Sequence, residues 1–64
     1  MGKIKRGGYL FITWRGDHPP RHVHVYRDGL PIVKWDLERD EPMTGKASNR
    51  IRKLITGLVE EGQL

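Results

Sequence analysis

Apolar and polar positions alternate in three stretches of the chain, which is the spacing typical of β-strands. Residues 9–15, 22–27 and 32–37 are rich in β-branched and aromatic side chains, and short segments with Gly, Pro or Asp separate them. Asp28-Gly29 is a strong signal for a hairpin turn. Because the connections are short, the pattern predicts a three-stranded antiparallel meander.

Near the end of the chain the spacing changes, and apolar residues recur three and four positions apart. The members of this stripe are Ile51, Leu54, Ile55, Leu58 and Val59. The stripe predicts an amphipathic helix over about 47–61, with Thr44 or Ser48 placed to cap its start and Gly62 its end. We therefore expect an α+β domain of order β-β-β-α, with the helix packed on one face of the sheet.

Alternation assigns a buried face and an open face to this predicted sheet. The buried side chains would be Leu10, Ile12, Val23, Val25, Val33, Trp35 and Leu37. The open face would carry Tyr9, Phe11, His22, His24, Tyr26 and Ile32. Trp14 and Trp35 are interpreted as core or half-core residues without a functional role. Because a solvent-exposed aromatic surface usually marks a site of protein interaction, we expect a partner complex or a homodimer through the open face.

The 64 residues of the chain suffice for one small domain over 1–64. Residues 1–8 are predicted to be a basic, partly mobile lead-in, and Glu38 to Gly45 a charged loop. No apolar run approaches the roughly 20 residues of a membrane span, and there is no cysteine. We expect a cytoplasmic protein that does not insert into a membrane.

The net charge of +4 is concentrated in the first half of the chain. Residues 1–34 carry seven Lys or Arg against two Asp, whereas residues 35–64 carry five basic and six acidic side chains. This excess favours a polyanion such as RNA or DNA, although a solubilising surface is an equally good explanation. The candidate nucleic-acid contacts are Arg15, Arg21, His24, Tyr26 and Lys34.

All three histidines lie in the segment 16–25. One hypothesis is a metal site: His22 and His24 share a strand face and would both reach one Zn²⁺, with His18 or Asp17 as a further ligand. No other cofactor is indicated by the sequence.

A second hypothesis is acid–base chemistry on RNA. His18 or His22 would serve as base or acid, Asp17 would orient an imidazole, and Arg21 or Arg15 would hold a phosphate. A third interpretation is structural, with Asp17 and the prolines forming a rigid turn and the histidines bonding backbone or lining a dimer interface. The sequence leaves open whether the protein is an enzyme.

The run Asp17-His18-Pro19-Pro20-Arg21-His22-Val23-His24-Val25 resembles the signature of a family of short bacterial domains known as domain of unknown function 4160. Its pattern is Asp-His-x-Pro-Pro-His-x-His-Val, and the similarity covers Tyr9 to Val59. Arg21, between the proline pair and His22, departs from that pattern. The resemblance implies a fold and a motif but no reaction.

A weaker resemblance is to HicA-type mRNA interferase toxins, on Gly16-Asp17-His18 before a strand and Thr44-Gly45 before the last helix. We expect an RNA-directed or toxin–antitoxin-like module that acts through the face around His18, His22 and His24. Its partner would be RNA, a cognate antitoxin or the product of a neighbouring gene. A non-catalytic interaction or dimerisation domain is the first alternative, and a histidine metal site is the second.

Overall fold

The computed structural model describes residues 2–14, 16 and 18–64, which form a five-stranded antiparallel sheet with one helix packed on one face. The elements are β1 Gly2–Arg6, β2 Tyr9–Thr13, β3 His22–Arg27, β4 Leu30–Asp36, β5 Glu41–Gly45 and α1 Asn49–Glu60. Each strand pairs with the next one along the chain, so β1 and β5 are the two outer strands. The α+β class and the C-terminal helix agree with the prediction, but the predicted three strands are wrong.

The first additional strand lies where a mobile lead-in was expected. β1 pairs with β2 through a two-residue turn at Gly7 and Gly8, whose φ angles are +61° and +85°. Two successive residues with positive φ form the hairpin turn whose twist suits antiparallel strands, and glycine adopts this conformation without a steric penalty. The turn pairs Arg6 with Tyr9 and carries the ladder back to Gly2.

The second additional strand lies in the expected charged loop. The Asp36 carboxylate accepts the backbone N–H groups of Glu38 and Arg39 at 2.8 and 3.0 Å, which turns the chain back after β4. β5 then pairs with β4 along an outer edge of the sheet. Pro42 has no N–H to donate to the ladder, and an outer strand tolerates it because its backbone nitrogen can stand on the side that faces solvent.

The buried face of β2 is the opposite of the predicted one. Phe11 is fully buried against the helix and Tyr9 packs beside it. Leu10 and Ile12 lie on the other face, although Ile12 is buried there, as predicted, with 8% of its surface exposed. The glycine turn explains the difference, because it places Phe11 opposite Ile4. Two lysines flank Ile4, so only this phase keeps both ammonium groups out of the core.

One further residue changes face because of an irregularity between β3 and β4. Val25 pairs with Val33 but Tyr26 pairs with Pro31, so Ile32 is an extra residue in β4. Ile32 was predicted on the open face and instead packs partly buried against the core. β3 itself matches the predicted bounds 22–27.

The core joins the sheet to the helix in a single cluster. Its buried members are Phe11, Val23, Val25, Val33, Trp35, Ile51, Ile55 and Leu58. Val23, Val25, Val33 and Trp35 were all predicted, and Leu37 packs partly buried beside them. The apolar stripe of α1 is narrower than expected, because Val59 is 47% exposed.

Local bonds at both ends define α1. The Ser48 hydroxyl accepts the N–H of Ile51 at 3.3 Å, whereas the other candidate cap, Thr44, belongs to β5. At the end, Gly62 adopts φ +77° and its N–H bonds the carbonyl of Val59, in the Schellman arrangement that ends many helices. Among the described residues, no helix combines the length and apolar character required to cross a membrane.

An ion pair ties the end of α1 to β1. The Arg6 guanidinium bonds both carboxylate oxygens of Glu61, at 2.7 and 3.1 Å. These hydrogen bonds lower the pKa of the Glu61 carboxyl below its ordinary value of 4.5. A carboxyl whose pKa is lowered by folding stabilises the fold above its ordinary pKa, and the contribution disappears as the pH falls through the lowered pKa.

We therefore expect Glu61→Gln to lower the Tm slightly at pH 7, because the pair is exposed to solvent. The difference from wild type should shrink as the pH is lowered below 4.5, the ordinary pKa of the carboxyl. Thermal unfolding followed by circular dichroism between pH 2 and 8 measures both effects. Glu60→Gln is the control, and an equal effect in that variant would contradict the assignment.

A second prediction compares two glycines. A Cβ on Gly45 would lie 2.3 Å from the Ile32 carbonyl oxygen, and the residue has φ +79°, whereas a Cβ on Gly57 in α1 would meet nothing within 4 Å. Gly45→Ala should lower the free energy of unfolding by about 2 kcal/mol or more. Gly57→Ala should raise it by up to about 1 kcal/mol. Urea unfolding tests the pair, and similar values for both would contradict the close approach of β4 and β5.

Candidate functional site

The sheet face opposite α1, called the open face below, combines basic and aromatic side chains. One row crosses all five strands, and its residues are Lys3, Ile12, His24, Lys34 and Thr44. A second row contains Lys5, Leu10 and Tyr26. His22 and Trp14 extend this surface towards the histidine motif, because each of their rings contacts the ring of His24.

Three lysines give the open face its charge. Lys3 and Lys5 project from β1 and Lys34 from β4, so basic groups flank the central strands. None of the three forms an ion pair or hydrogen bond within the part of the chain that the structure describes. Asp36 on β4 is buried, and its carboxylate binds the backbone of the turn that follows. The surface therefore carries positive charge that is not neutralised locally.

The aromatic part of this surface differs from the predicted one. The Trp14 ring meets the His24 ring edge-on at 6.5 Å between centroids, and His24 meets His22 at 5.1 Å. Trp14 is 44% exposed, so of the predicted core or half-core positions it takes the half-core one, whereas Trp35 is in the core. Tyr9 and Phe11 are missing from this face because they pack towards α1. The signal for Trp14 was its position directly after β2, next to the histidine motif.

His22 is anchored to the backbone of the motif. Its Nδ1 lies 2.8 Å from the Pro20 carbonyl oxygen, which accepts but cannot donate, so Nδ1 carries the hydrogen. In the neutral ring Nε2 is then the basic nitrogen. The ring is 9% exposed, and the peptide bond between Pro19 and Pro20 is cis. Part of the structural interpretation, a histidine bonding backbone, is present here.

Two acidic residues that were not predicted to have a role lie beside the start of β3, and Glu38 holds it through its side chain. The Arg21 backbone N–H donates to the Glu38 carboxylate, and the Arg21 carbonyl accepts the N–H of Leu37 at 2.8 Å. Asp36 pairs with His22 in the strand register and is only 2% exposed. The available signal was a pair of acids, Asp36 and Glu38, at the end of the third predicted strand.

The structure groups some of the predicted site residues and separates others. His22 and Arg21 line a pocket of about 430 Å³ at the motif end of the sheet. His24, Tyr26 and Lys34 line a second pocket of about 310 Å³ on the open face. His18 is exposed and forms no ion pair, hydrogen bond or ring contact with the described residues. The predictions for Arg15 and Asp17 concern positions outside the described residues.

The metal hypothesis has two adjacent imidazoles as its physical basis. His22 and His24 lie together, and the bond from Nδ1 of His22 to a carbonyl is the kind of contact that orients metal-binding histidines. Within residues 2–14, 16 and 18–64, no group of three or more metal-binding side chains forms. A closed zinc site uses four ligands.

Comparison with known proteins places the chain in a family. The family model described as Domain of unknown function (DUF4160) matches residues 7–63. The chain belongs to this family. No curated protein and no solved structure matches it. The motif of this DUF4160 domain must therefore be interpreted from its own geometry.

The tautomer of His22 is directly measurable. Long-range ¹H–¹⁵N correlation spectra of the neutral His22 ring of the DUF4160 domain should show a hydrogen on Nδ1 and none on Nε2. Exposed His18 serves as the internal comparison and should show the mixture of tautomers usual in water. An unprotonated Nδ1 at His22 would contradict the bond to Pro20.

The same spectra test the zinc hypothesis. If His22 and His24 hold Zn²⁺ together, micromolar Zn²⁺ should shift both sets of ring signals in parallel, saturate at one equivalent and raise the Tm. Unchanged ring signals at micromolar Zn²⁺ would contradict the zinc hypothesis.

Proposed function

We propose that this DUF4160 domain binds single-stranded RNA on its open face. The observation that carries the proposal is the combination of three lysines with aromatic rings on one sheet surface. Lys3 and Lys34 stand in one row of this surface and Lys5 in the next, and none of them has an ion pair among the described residues. Surfaces that bind single strands combine positive charge along the backbone path with aromatic rings on which bases stack. The open face supplies both on rigid strands.

The charges are spaced to follow a strand across the sheet. Lys3 and Lys34 stand in one row, separated by β2 and β3, which at the usual strand spacing is about 14 Å. Lys5 stands one row further along β1. A phosphate backbone that crosses the strands would meet these ammonium groups, while its bases would contact the rings between them.

Tyr26 and Trp14 are the stacking candidates. Tyr26 lies between Leu10 and the second pocket and is partly exposed, and Trp14 exposes 44% of its surface beside His24. Stacking of one base on an aromatic side chain contributes about 1–3 kcal/mol. Two such rings and three lysines would be enough for a salt-sensitive complex with a short oligonucleotide.

A second copy of the chain is the main alternative occupant. Pairing two open faces would bring the three lysines of one copy close to those of the other, and like charges across an interface oppose association. A polyanion neutralises the same charges. The surface therefore favours RNA over self-association.

The test measures fluorescence anisotropy of a labelled 12-nucleotide RNA of mixed sequence between 50 and 200 mM salt, with EDTA present. We expect Lys34→Ala to reduce the magnitude of the salt slope by about 0.7, the contribution of one phosphate contact on a single strand. Tyr26→Ala should weaken binding about fivefold or more through loss of one stacked base. Lys53→Ala, on the exposed side of α1, is the matched control and should change neither.

Equal effects of Lys34→Ala and Lys53→Ala would contradict an open-face site, as would no binding at 50 mM salt. Sedimentation of the free protein decides whether a dimer covers the face instead. Cleavage of the RNA in EDTA, abolished by His18→Ala, would move the function to the acid–base hypothesis. Growth arrest on expression, relieved by the product of a neighbouring gene, would support a toxin–antitoxin role.

A further inference from the structure

The pocket at the motif end of the sheet has the lining of a small-molecule site. It encloses about 430 Å³, and its walls include Trp14, Pro19, His22, Leu37, Glu38 and Leu64. Ligand sites in proteins commonly measure about 300–1,000 Å³ and combine apolar walls with a few fixed polar groups. This pocket has both, because its apolar walls stand among polar residues, which are Thr13, Arg21, His22, Glu38 and Gln63.

Trp14 connects this pocket to the open face. The indole lines the pocket, and its ring also meets His24, which stands in the lysine row. A strand lying on the open face would therefore pass beside the mouth of the pocket. Because the indole is planar and exposed, it offers a stacking surface for a flat ring that enters there.

Glu38 determines which flat ring fits best. Its carboxylate accepts the Arg21 backbone N–H, which holds the group in place at the pocket wall. A carboxylate has about four acceptor positions, so further donors can bind it. Guanine presents two adjacent donors, its ring N1–H and its 2-amino group. Uracil presents one N–H between two carbonyl oxygens, which a carboxylate repels.

We propose that this pocket binds a guanine base, stacked on Trp14 and hydrogen-bonded to Glu38. The proposal rests on the proposed function, because the base would belong to the strand held on the open face. The pocket would then select one nucleotide, while the lysine rows hold the backbone regardless of sequence. In this proposal the hydrogen bonds to the Glu38 carboxylate are sufficient to distinguish guanine from uracil.

The two tryptophans make the test specific. Trp14 is exposed and Trp35 is 2% exposed, so a ligand in the pocket quenches only the red-shifted part of the emission. GMP should quench the Trp14 emission in a saturable manner. The affinity for UMP should be at least about tenfold lower than that for GMP, and inorganic phosphate should have no effect. Glu38→Gln keeps an oxygen that can accept the Arg21 N–H, and it should weaken GMP about tenfold while leaving UMP unchanged. Trp14→Ala removes the reporter, so its GMP affinity is measured by equilibrium dialysis; it should fall about fivefold or more through loss of stacking, with circular dichroism and Trp35 emission unchanged.

Equal affinity for GMP and UMP, or an unchanged GMP affinity in Glu38→Gln, would overturn the guanine site. Oligonucleotide binding that depends on Lys34 would leave the proposed function intact in that case. Conversely, GMP binding without any oligonucleotide binding would retain the pocket and refute the open-face function. If neither ligand binds, both proposals fail.

Discussion

The two-glycine turn between β1 and β2 determines which face of the sheet is buried. It pairs Ile4 with Phe11, and the helix then covers that row together with Val25 and Val33. A shift of one residue would exchange every side chain of the hairpin between core and solvent. It would place the two lysines of β1 beneath the helix. The charge of the open face and the packing of the core therefore depend on the same turn.

The motif end of the sheet is built from short polar contacts around that scaffold. Glu38 binds the backbone just before β3, Asp36 caps the following turn, and His22 bonds the Pro20 carbonyl. These contacts join the motif to the turn between β4 and β5, which is distant in sequence. The position of the histidine rings thus depends on the turn between β4 and β5. This hairpin supports the candidate site through backbone contacts, although it supplies no aromatic ring.

The sequence was informative where apolar and polar residues alternate and uninformative where they do not. Val23 and Val25 alternate with polar residues, and their buried face was predicted correctly. Leu10 and Phe11 stand in a run that is apolar on both sides, so alternation cannot give its phase. The evidence lay outside that run, in the lysines beside Ile4 and the glycine turn. The contacts of Glu38 could not be predicted, because they join separate turns through the folded sheet.

The outer strands also limit how this small domain can meet other chains. An exposed strand edge is a template for further β-pairing and a route to aggregation. β1 bears Lys3 and Lys5, and β5 contains Pro42, which lacks a ladder donor, beside a register irregularity. Lysines, proline and bulges are the features by which natural sheets discourage such growth. Addition of a sixth strand is therefore disfavoured at both edges, so the size of the sheet is limited by the residues of its two outer strands.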